Sequence, residues 1–224
     1  MPSATVEDYL KALYTLEQRE GGKARIKDIA ALLNVSLPSV TTMMKSLADD
    51  GFVERAAYRG VGLSELGRRA ALRVIRNHRL IELFLVEVLG YSWDEVHEEA
   101  ERLEHAMSDL LTDRIDAYLG FPAVDPHGDP IPSAEGTVAR VRAPSLLEAV
   151  TTHAQQTLPI VRVLDQTAEV LQYLASQGLT PGSEVRLERI DPFDGPIWLH
   201  VDGKEIALSR VLAARVLVDI DAAR

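Results

Sequence analysis

The spacing of the apolar residues changes once along the chain, and this change constrains the fold more than any other feature. Up to about residue 120 the apolar residues recur at helical spacing, whereas from residue 157 onward they alternate as in strands, for example over Ile197–Val201. Residues 122–145 are rich in Pro and Gly, which indicates a domain boundary or an extended linker. We therefore predict a mainly α chain with a β-rich C-terminal part, divided into residues 1–72, 73–145 and 146–224.

Composition sets broad limits on function. The 224 residues contain no Cys, which excludes disulfides, thiolate zinc sites, iron–sulfur clusters and a cysteine nucleophile. No apolar run approaches the ~20 residues that span a bilayer, and the N-terminus does not have the pattern of a signal peptide. We therefore expect a cytoplasmic protein that does not bind a membrane.

The charge is unevenly distributed along the chain. The net charge of −10 argues at first against nucleic acid, but residues 1–72 hold ten Lys and Arg against nine Asp and Glu. Residues 82–105 hold eight acidic side chains and a single Arg. We therefore expect that something neutralises or tolerates the acidic stretch, while the first 72 residues remain able to approach DNA.

The first 72 residues have the order of a winged helix-turn-helix. A short helix over Arg25–Asn34 is followed by a tight turn and by a helix that Ser36 caps and that ends near Gly51. Two strands with a basic, Gly-containing tip follow over Phe52–Leu63. This order predicts a DNA-binding domain whose second short helix reads the base edges.

The candidate DNA contacts are hydroxyl, apolar and basic side chains on the two short helices and at the tip of the wing. Hydroxyls and free N–H groups at a helix N-terminus suit phosphate and base-edge contacts, and a proline suits a thymine methyl. The alternative is that the Ser and Thr residues are only caps and solvated side chains. The candidates are Arg25, Lys27, Ser36, Pro38, Ser39, Thr41, Thr42, Lys45, Tyr58 and Arg59.

The acidic stretch contains side chains that can bind metal. We predict a helix from Trp93 or Asp94 to about Met107, and at about 100° per residue it would place four ligand-type side chains on one arc. These four are His97, Glu101, Glu104 and His105. Converging carboxylates and imidazoles repel one another when empty, and a divalent cation removes that repulsion. The alternative is a solvated acidic helix face.

Two other helices offer further ligands. A helix over about Leu66–Leu89 carries His78 and Glu82 at i and i+4, on one face. The first helix of the chain offers Asp8, although a carboxylate in a first turn also suits the helix dipole.

The segments His78–Glu82, Glu95–Ser108 and Pro126–Pro132 together resemble the diphtheria-toxin-repressor family of metal-dependent transcriptional repressors. The resemblance covers essentially the whole chain. It implies an N-terminal winged helix-turn-helix, a helical dimerisation segment and a C-terminal SH3-like (FeoA-like) domain. It also implies a homodimer that binds double-stranded operator DNA, without enzymatic activity and without an organic cofactor.

The family implies two metal sites in each subunit. One would use His78, Glu82 and His97. Side chains from the C-terminal part would assist this site, and the candidates for that role are Asp165 or Gln166. The other would use Asp8, Glu101, Glu104 and His105.

The oxygen donors Asp8 and Glu101 resemble the manganese-responsive branch, because iron-responsive members usually have Met and Cys at these positions. Oxygen ligands suit Mn(II), whereas soft sulfur suits softer ions. Against this, Lys11 stands where the short manganese regulators have a Glu ligand, and the chain keeps a third part that they lack. We therefore expect Mn(II), with Fe(II) and other divalent transition metals as alternatives.

The resemblance implies a repressor of manganese or iron transport genes. Metal would bridge the DNA-binding and dimerisation parts and fix a DNA-competent dimer. Two alternatives stay open: an Fe(II)-responsive regulator of the same family, and a winged-helix regulator that senses an organic ligand. A metal-dependent hydrolase is disfavoured because the chain has no His-Glu-x-x-His motif.

Overall fold

A computed structural model describes residues 2–56 and 60–222. Their contacts divide the chain into two compact units. The first unit holds Met1–His78, Arg102–Asp109 and Pro132–Val138, and the second holds Arg79–Glu101, Leu110–Ile131 and Ala139–Arg224. No helix within the described ranges is both long and apolar enough to cross a membrane.

The N-terminal elements of the first unit follow the order of a winged helix-turn-helix. They are α1 (Ala4–Glu20), α2 (Ile26–Leu32), α3 (Leu37–Asp49), β1 (Val53–Ala56), β2 (Gly60–Leu63) and the start of α4 (Glu65–Leu89). Ser36 caps α3 as predicted, because its hydroxyl accepts a hydrogen bond from the backbone N–H of Ser39 at 3.3 Å. The two strands pair antiparallel with Val53 opposite Leu63.

The apolar faces of these elements meet in one core. Leu10 and Leu13 of α1 pack with Ile29 of α2 and with Met44 and Leu47 of α3, and all five side chains are fully buried. This burial fixes which face of α1 turns inward and leaves the opposite side of α3 open to solvent.

The second unit combines helices with a five-stranded antiparallel sheet. The remaining helices are α5 (Val96–Leu103), whose last two residues belong to the first unit, α6 (Asp109–Tyr118), whose first residue does, and α7 (Leu146–Thr152), α8 (Ala168–Ser176) and α9 (Arg210–Ala213). The strands of the second unit are β3 (Thr157–Val163), β4 (Glu184–Ile190), β5 (Ile197–Val201), β6 (Lys204–Leu208) and β7 (Val216–Val218). The strand order is β6-β5-β4-β3-β7. A mainly α chain with a β-rich C-terminal part is therefore confirmed.

Helix α5 is shorter than predicted. It ends at Leu103 rather than near Met107, so Glu104 and His105 lie in a turn and not on the helix face. The reason is tertiary: the side-chain amide of Asn77 donates a buried hydrogen bond to the carbonyl of Glu104 at 3.1 Å. That carbonyl therefore has a partner without further helical turns.

Part of the predicted Pro/Gly-rich linker is folded into the second unit. The N–H of Ile131 donates to the carbonyl of Ala123 at 2.9 Å, and between them Asp125 and His127 are buried. Gly128 has φ +84° and lies so close to β3 that a Cβ atom would sit 2.0 Å from the carbonyl oxygen of Val161. This tight approach needs glycine, so here glycine indicates close packing rather than an extended linker.

Candidate metal sites and DNA-binding surface

Three of the predicted metal ligands meet in the first unit, where α1 lies against the turn after α5. Asp8, Glu104 and His105 each offer a ligand atom, and these atoms lie within 4.8 Å of one another. We call these three residues the α1 cluster. His105 Nε2 lies 2.9 Å from Asp8 Oδ1 and 3.4 Å from Glu104 Oε1. Oxygen and imidazole donors at this spacing fit a divalent cation.

Glu7 orients the histidine of the α1 cluster. Its carboxylate accepts a hydrogen bond from His105 Nδ1 at 2.7 Å, which leaves Nε2 directed at Asp8. Burial lowers the pKa of His105, but the hydrogen bond to Glu7 and the nearby carboxylates raise it more, so the pKa lies above that of an ordinary histidine. A carboxylate behind a ligand imidazole is a common support of metal sites. Sequence reasoning missed this role because Glu7 also suits the helix dipole.

Glu104 is the most buried member of the α1 cluster. Its side chain has no exposed surface, and Lys11 Nζ lies 2.9 and 2.8 Å from its two carboxylate oxygens. His78 Nδ1 also forms a short hydrogen bond with Glu104. The structure thus places His78 beside Glu104, and its expected grouping with Glu82 and His97 stays a prediction.

The fourth expected ligand of this site, Glu101, belongs to the second unit. Its carboxylate lies 3.7 Å from His97 Nε2, one helical turn earlier on α5. The other ring nitrogen of His97 lies 3.1 Å from Glu82 Oε1. The structure therefore joins Glu82 and His97 as expected and places Glu101 next to them.

Glu82, Asp125 and His127 form a second group of buried ligand atoms within 4.8 Å of one another. We call it the Glu82 cluster. His127 Nε2 donates a hydrogen bond to the carbonyl of Trp93 at 2.8 Å, whereas Nδ1 is buried without a hydrogen bond, 3.7 Å from Glu82 Oε2. A buried nitrogen that faces a carboxylate in this way is an atom that a cation can take.

The charges of the Glu82 cluster affect one another. Burial, together with the charges of Asp129 and Glu82, raises the pKa of Asp125 to about 7. Burial lowers the pKa of His127, but Glu82 and Asp125 raise it more. These shifts follow from carboxylates crowded together out of water, which a divalent cation would relieve.

Asp165 and Gln166, which were expected to assist the metal site from the C-terminal part, make other contacts. Asp165 Oδ1 accepts hydrogen bonds from the backbone and hydroxyl of Thr167, at the start of α8. Gln166 Nε2 donates to Asp129 Oδ2 at 2.8 Å. Gln166 thus contacts the folded 123–131 segment through Asp129.

Sequence reasoning missed Asp125 and His127 as candidate ligands, although the segment Pro126–Pro132 had contributed to the family resemblance. The available signal was His127 within the resembling segment, two residues after Asp125. The Pro and Gly around them favoured a linker, and a linker would have been solvated.

The candidate DNA contacts on α3 lie on its open side. Pro38, Ser39, Thr42 and Lys45 are exposed, and the first three line a shallow surface cleft together with Met43 and Ser46. Two other hydroxyls have local partners: Ser36 Oγ lies 2.8 Å from Ser39 Oγ, and Thr41 donates to the carbonyl of Leu37 at 2.9 Å.

The remaining DNA candidates are two residues at the start of α2 and two that the sequence predicts at the wing tip. Arg25 and Lys27 are exposed, and Arg25 Nε pairs with Asp28 at 2.5 Å. Tyr58 and Arg59 lie outside the described residues.

The second unit also exposes large apolar side chains on α6 and just after it. Leu110, Tyr118 and Phe121 are 67%, 71% and 73% exposed. Large apolar side chains left in solvent along one short segment are typical of a protein–protein interface.

Three family models together match most of the chain. The model described as the N-terminal DNA binding domain of the iron dependent repressor matches residues 1–61. The model described as its metal binding and dimerisation domain matches residues 64–133, and a FeoA domain matches residues 150–220. The chain belongs to the iron-dependent repressor family. The expected family is therefore confirmed. Members of this family are transcriptional repressors and not enzymes, which confirms the expected class of protein.

Relatives within the iron-dependent repressor family include both iron and toxin repressors. The iron-dependent repressor IdeR of Mycobacterium leprae is 34% identical over 96% of both chains. The diphtheria toxin repressor of Corynebacterium diphtheriae is 31% identical over 96% of both chains. The match to IdeR of Mycobacterium tuberculosis is 41% identical and spans 55% of that protein's length.

Solved structures of family members include manganese repressors. A manganese-dependent transcriptional repressor in complex with manganese is 40% identical, with a TM-score of 0.81 over 95% of this chain and 98% of that one. ScaR with bound Zn2+ is 37% identical, with a TM-score of 0.78 over 96% of this chain and 98% of that one.

Proposed function

We propose that the chain is a Mn(II)-dependent transcriptional repressor that binds operator DNA as a homodimer and controls metal-ion transport genes. One observation carries this proposal: Asp8, on the first helix of the DNA-binding part, meets Glu104 and His105 from the matched metal-binding part at ligand distances. A cation held there joins two segments that are nearly a hundred residues apart in sequence.

The donor chemistry supports Mn(II). The α1 cluster and the Glu82 cluster contain carboxylates and imidazoles, and the chain contains no Cys. Such oxygen-rich sites suit Mn(II), whereas sulfur ligands would have favoured softer ions. The manganese-bound repressor of similar fold supports the same choice.

Fe(II) is the second candidate. IdeR of Mycobacterium leprae is named an iron-dependent repressor and aligns with 96% of this chain. The imidazoles His105 and His127 also suit iron, and the preference of such ligand sets among divalent metals is mild.

The residues of the α1 cluster explain how metal would control DNA binding. A bound divalent cation would supply a positive charge between the carboxylates of Asp8 and Glu104. Glu7 holds the His105 ring so that Nε2 faces that position. Asp8 is thereby fixed to the 104–105 turn, and α1, α2 and α3 share one core. Metal would thereby narrow the range of orientations that the DNA-binding part can adopt. This raises the fraction of chains that can bind DNA, so metal and DNA bind with positive, reciprocal coupling.

The surfaces of the two units fit the remaining parts of the proposal. Exposed hydroxyls and Lys45 on α3 would contact base edges and phosphates. Leu110, Tyr118 and Phe121 would be covered in the homodimer. Two copies of α3 would then face half-sites about one helical turn apart, or a multiple of it.

The assignment of the α1 cluster is tested with Glu104→Gln. Removing this carboxylate charge should abolish Mn(II)-dependent operator binding, measured by fluorescence anisotropy, while the dimer persists in sedimentation. The matched control is Glu169→Gln, at an exposed position of α8 outside both clusters. Unchanged Mn(II)-dependent binding by the Glu104 variant would refute the assignment.

A further inference from the structure

A lysine ammonium is inserted into the α1 cluster. Lys11 follows Asp8 by one turn of α1, and its Nζ lies 2.9 and 2.8 Å from the two carboxylate oxygens of Glu104. It also lies 3.3 Å from His78 Nδ1. The Lys11 side chain is 20% exposed, whereas that of Glu104 is fully buried, so this ion pair is largely shielded from water.

Burying Glu104 without a cation would be costly. A carboxylate removed from water needs a charged or hydrogen-bonded partner, and Asp8 and Glu7 lie around the same histidine with the same sign of charge. Lys11 supplies a positive charge at both oxygens of Glu104 from within the chain. In the metal-free state it therefore does part of what a metal ion would do.

A metal ion that uses Glu104 has to share it with Lys11. Both carboxylate oxygens of Glu104 already contact the ammonium, and a divalent cation between Asp8 and His105 Nε2 would lie near that ammonium. Two positive charges at such a separation repel strongly where Glu104 is shielded from water. Lys11 thus stabilises the empty site and opposes the occupied one.

We propose that Lys11 is a tethered cation that neutralises Glu104 in the metal-free chain and lowers the affinity of the α1 cluster for divalent metal. The residue thereby sets the metal concentration at which the chain responds. This inference rests on the proposed function, because it takes the α1 cluster to be a metal site.

The test compares Mn(II) affinity and metal-free stability in four versions of the chain. They are the unsubstituted chain, Lys11→Met, Lys11→Arg and the control Lys23→Met, whose lysine is 3.9 Å from Glu54 on an exposed surface. Mn(II) affinity is read from the electron paramagnetic resonance signal of free Mn(II), using the binding step that Asp8→Asn removes. Metal-free stability is read from the thermal unfolding midpoint in chelator.

The two readouts should move in opposite directions for Lys11→Met. We expect a lower unfolding midpoint in chelator, because Glu104 loses its cation, and Mn(II) binding at least about tenfold tighter, because a repelling charge is gone. Lys11→Arg and Lys23→Met should stay close to the unsubstituted chain in both readouts.

An ordinary structural ion pair would behave differently. Mn(II) affinity that is unchanged or weaker in Lys11→Met would overturn the inference, whatever the unfolding midpoint does. If Lys11→Met does not fold in chelator, Lys11→Gln keeps a hydrogen-bond donor without the charge, and the same affinity comparison applies to it. If Asp8→Asn removes no Mn(II) step from the unsubstituted chain, the proposed function of the cluster fails first and the inference fails with it.

Discussion

His105 links the charge balance of the α1 cluster to pH. Its Nδ1 lies 2.7 Å from Glu7 and its Nε2 lies 2.9 Å from Asp8, so both ring nitrogens face carboxylates in the metal-free chain. These contacts raise the pKa of His105 above the ordinary value of 6.5, although burial alone would lower it. A metal ion that binds Nε2 must therefore displace the proton from that nitrogen.

The raised pKa of His105 gives the pH dependence of metal binding a definite sign. Because metal binds the neutral ring, Mn(II) affinity should fall as pH falls, and the fall should begin above pH 6.5, the ordinary histidine value. Below the raised pKa, affinity should drop by up to about tenfold per pH unit, since one proton is released for each ion bound. Titrations of Mn(II) from about pH 8 to pH 6 measure this slope.

The control for that titration is His200→Gln, because His200 pairs with Glu188 on the C-terminal sheet and belongs to neither cluster. It should leave the slope unchanged. An affinity that stays flat over the range would mean that no imidazole binds the ion.

At the scale of elements, hydrogen bonds made at helix ends decide what the sequence could predict. The cap of α3 by Ser36 was predictable, because a capping hydroxyl acts on the next three residues of its own helix. The end of α5 was not, because it depends on Asn77, a residue from another helix. The folded 123–131 segment was likewise hidden, because its Gly128 packs against Val161 of β3.

The candidate metal sites show the same difference between what the sequence predicts and what depends on contacts between residues far apart in sequence. Asp8, Glu104 and His105 could be proposed from the family resemblance, and the structure brings them together. The contact of Lys11 with Glu104 joins residues 93 positions apart, and spacing along the chain contains no signal for it. His127 was missed because its burial depends on the folding of a Pro/Gly-rich stretch.

The capping box of α7 offers a test at this scale. The Ser145 hydroxyl accepts from the N–H of Glu148 at 3.3 Å, and the Glu148 carboxylate accepts from the N–H of Ser145 at 2.8 Å. Ser145 is buried next to β7, so Ser145→Ala should lower the free energy of unfolding by about 1 kcal/mol. Chemical denaturation measures the change.

A suitable control is Ser176→Ala, since this exposed hydroxyl donates to the carbonyl of Tyr173 in its own helix and accepts from the neighbouring Gln177 side chain at 3.2 Å. Its effect should stay within about 0.5 kcal/mol. A loss as large as that of Ser145→Ala would show that the capping box has no special role.

At the scale of the whole molecule, each compact unit contains one cluster of ligand atoms. The first unit contains the α1 cluster together with α3, whose exposed side chains are the candidate DNA contacts. The second unit contains the Glu82 cluster and the exposed apolar side chains of α6. A repressor that responds to metal needs all of these parts, because metal affects DNA binding only if the two are coupled.

That coupling is tested most directly by DNA binding with and without metal. A labelled fragment from upstream of a metal-transporter gene of the source genome is titrated with the unsubstituted chain under anaerobic conditions, and fluorescence anisotropy is recorded with Mn(II), with Fe(II) or with chelator. The account predicts tight binding with Mn(II) and loss of that binding in chelator. Specific binding of equal strength in chelator would contradict it.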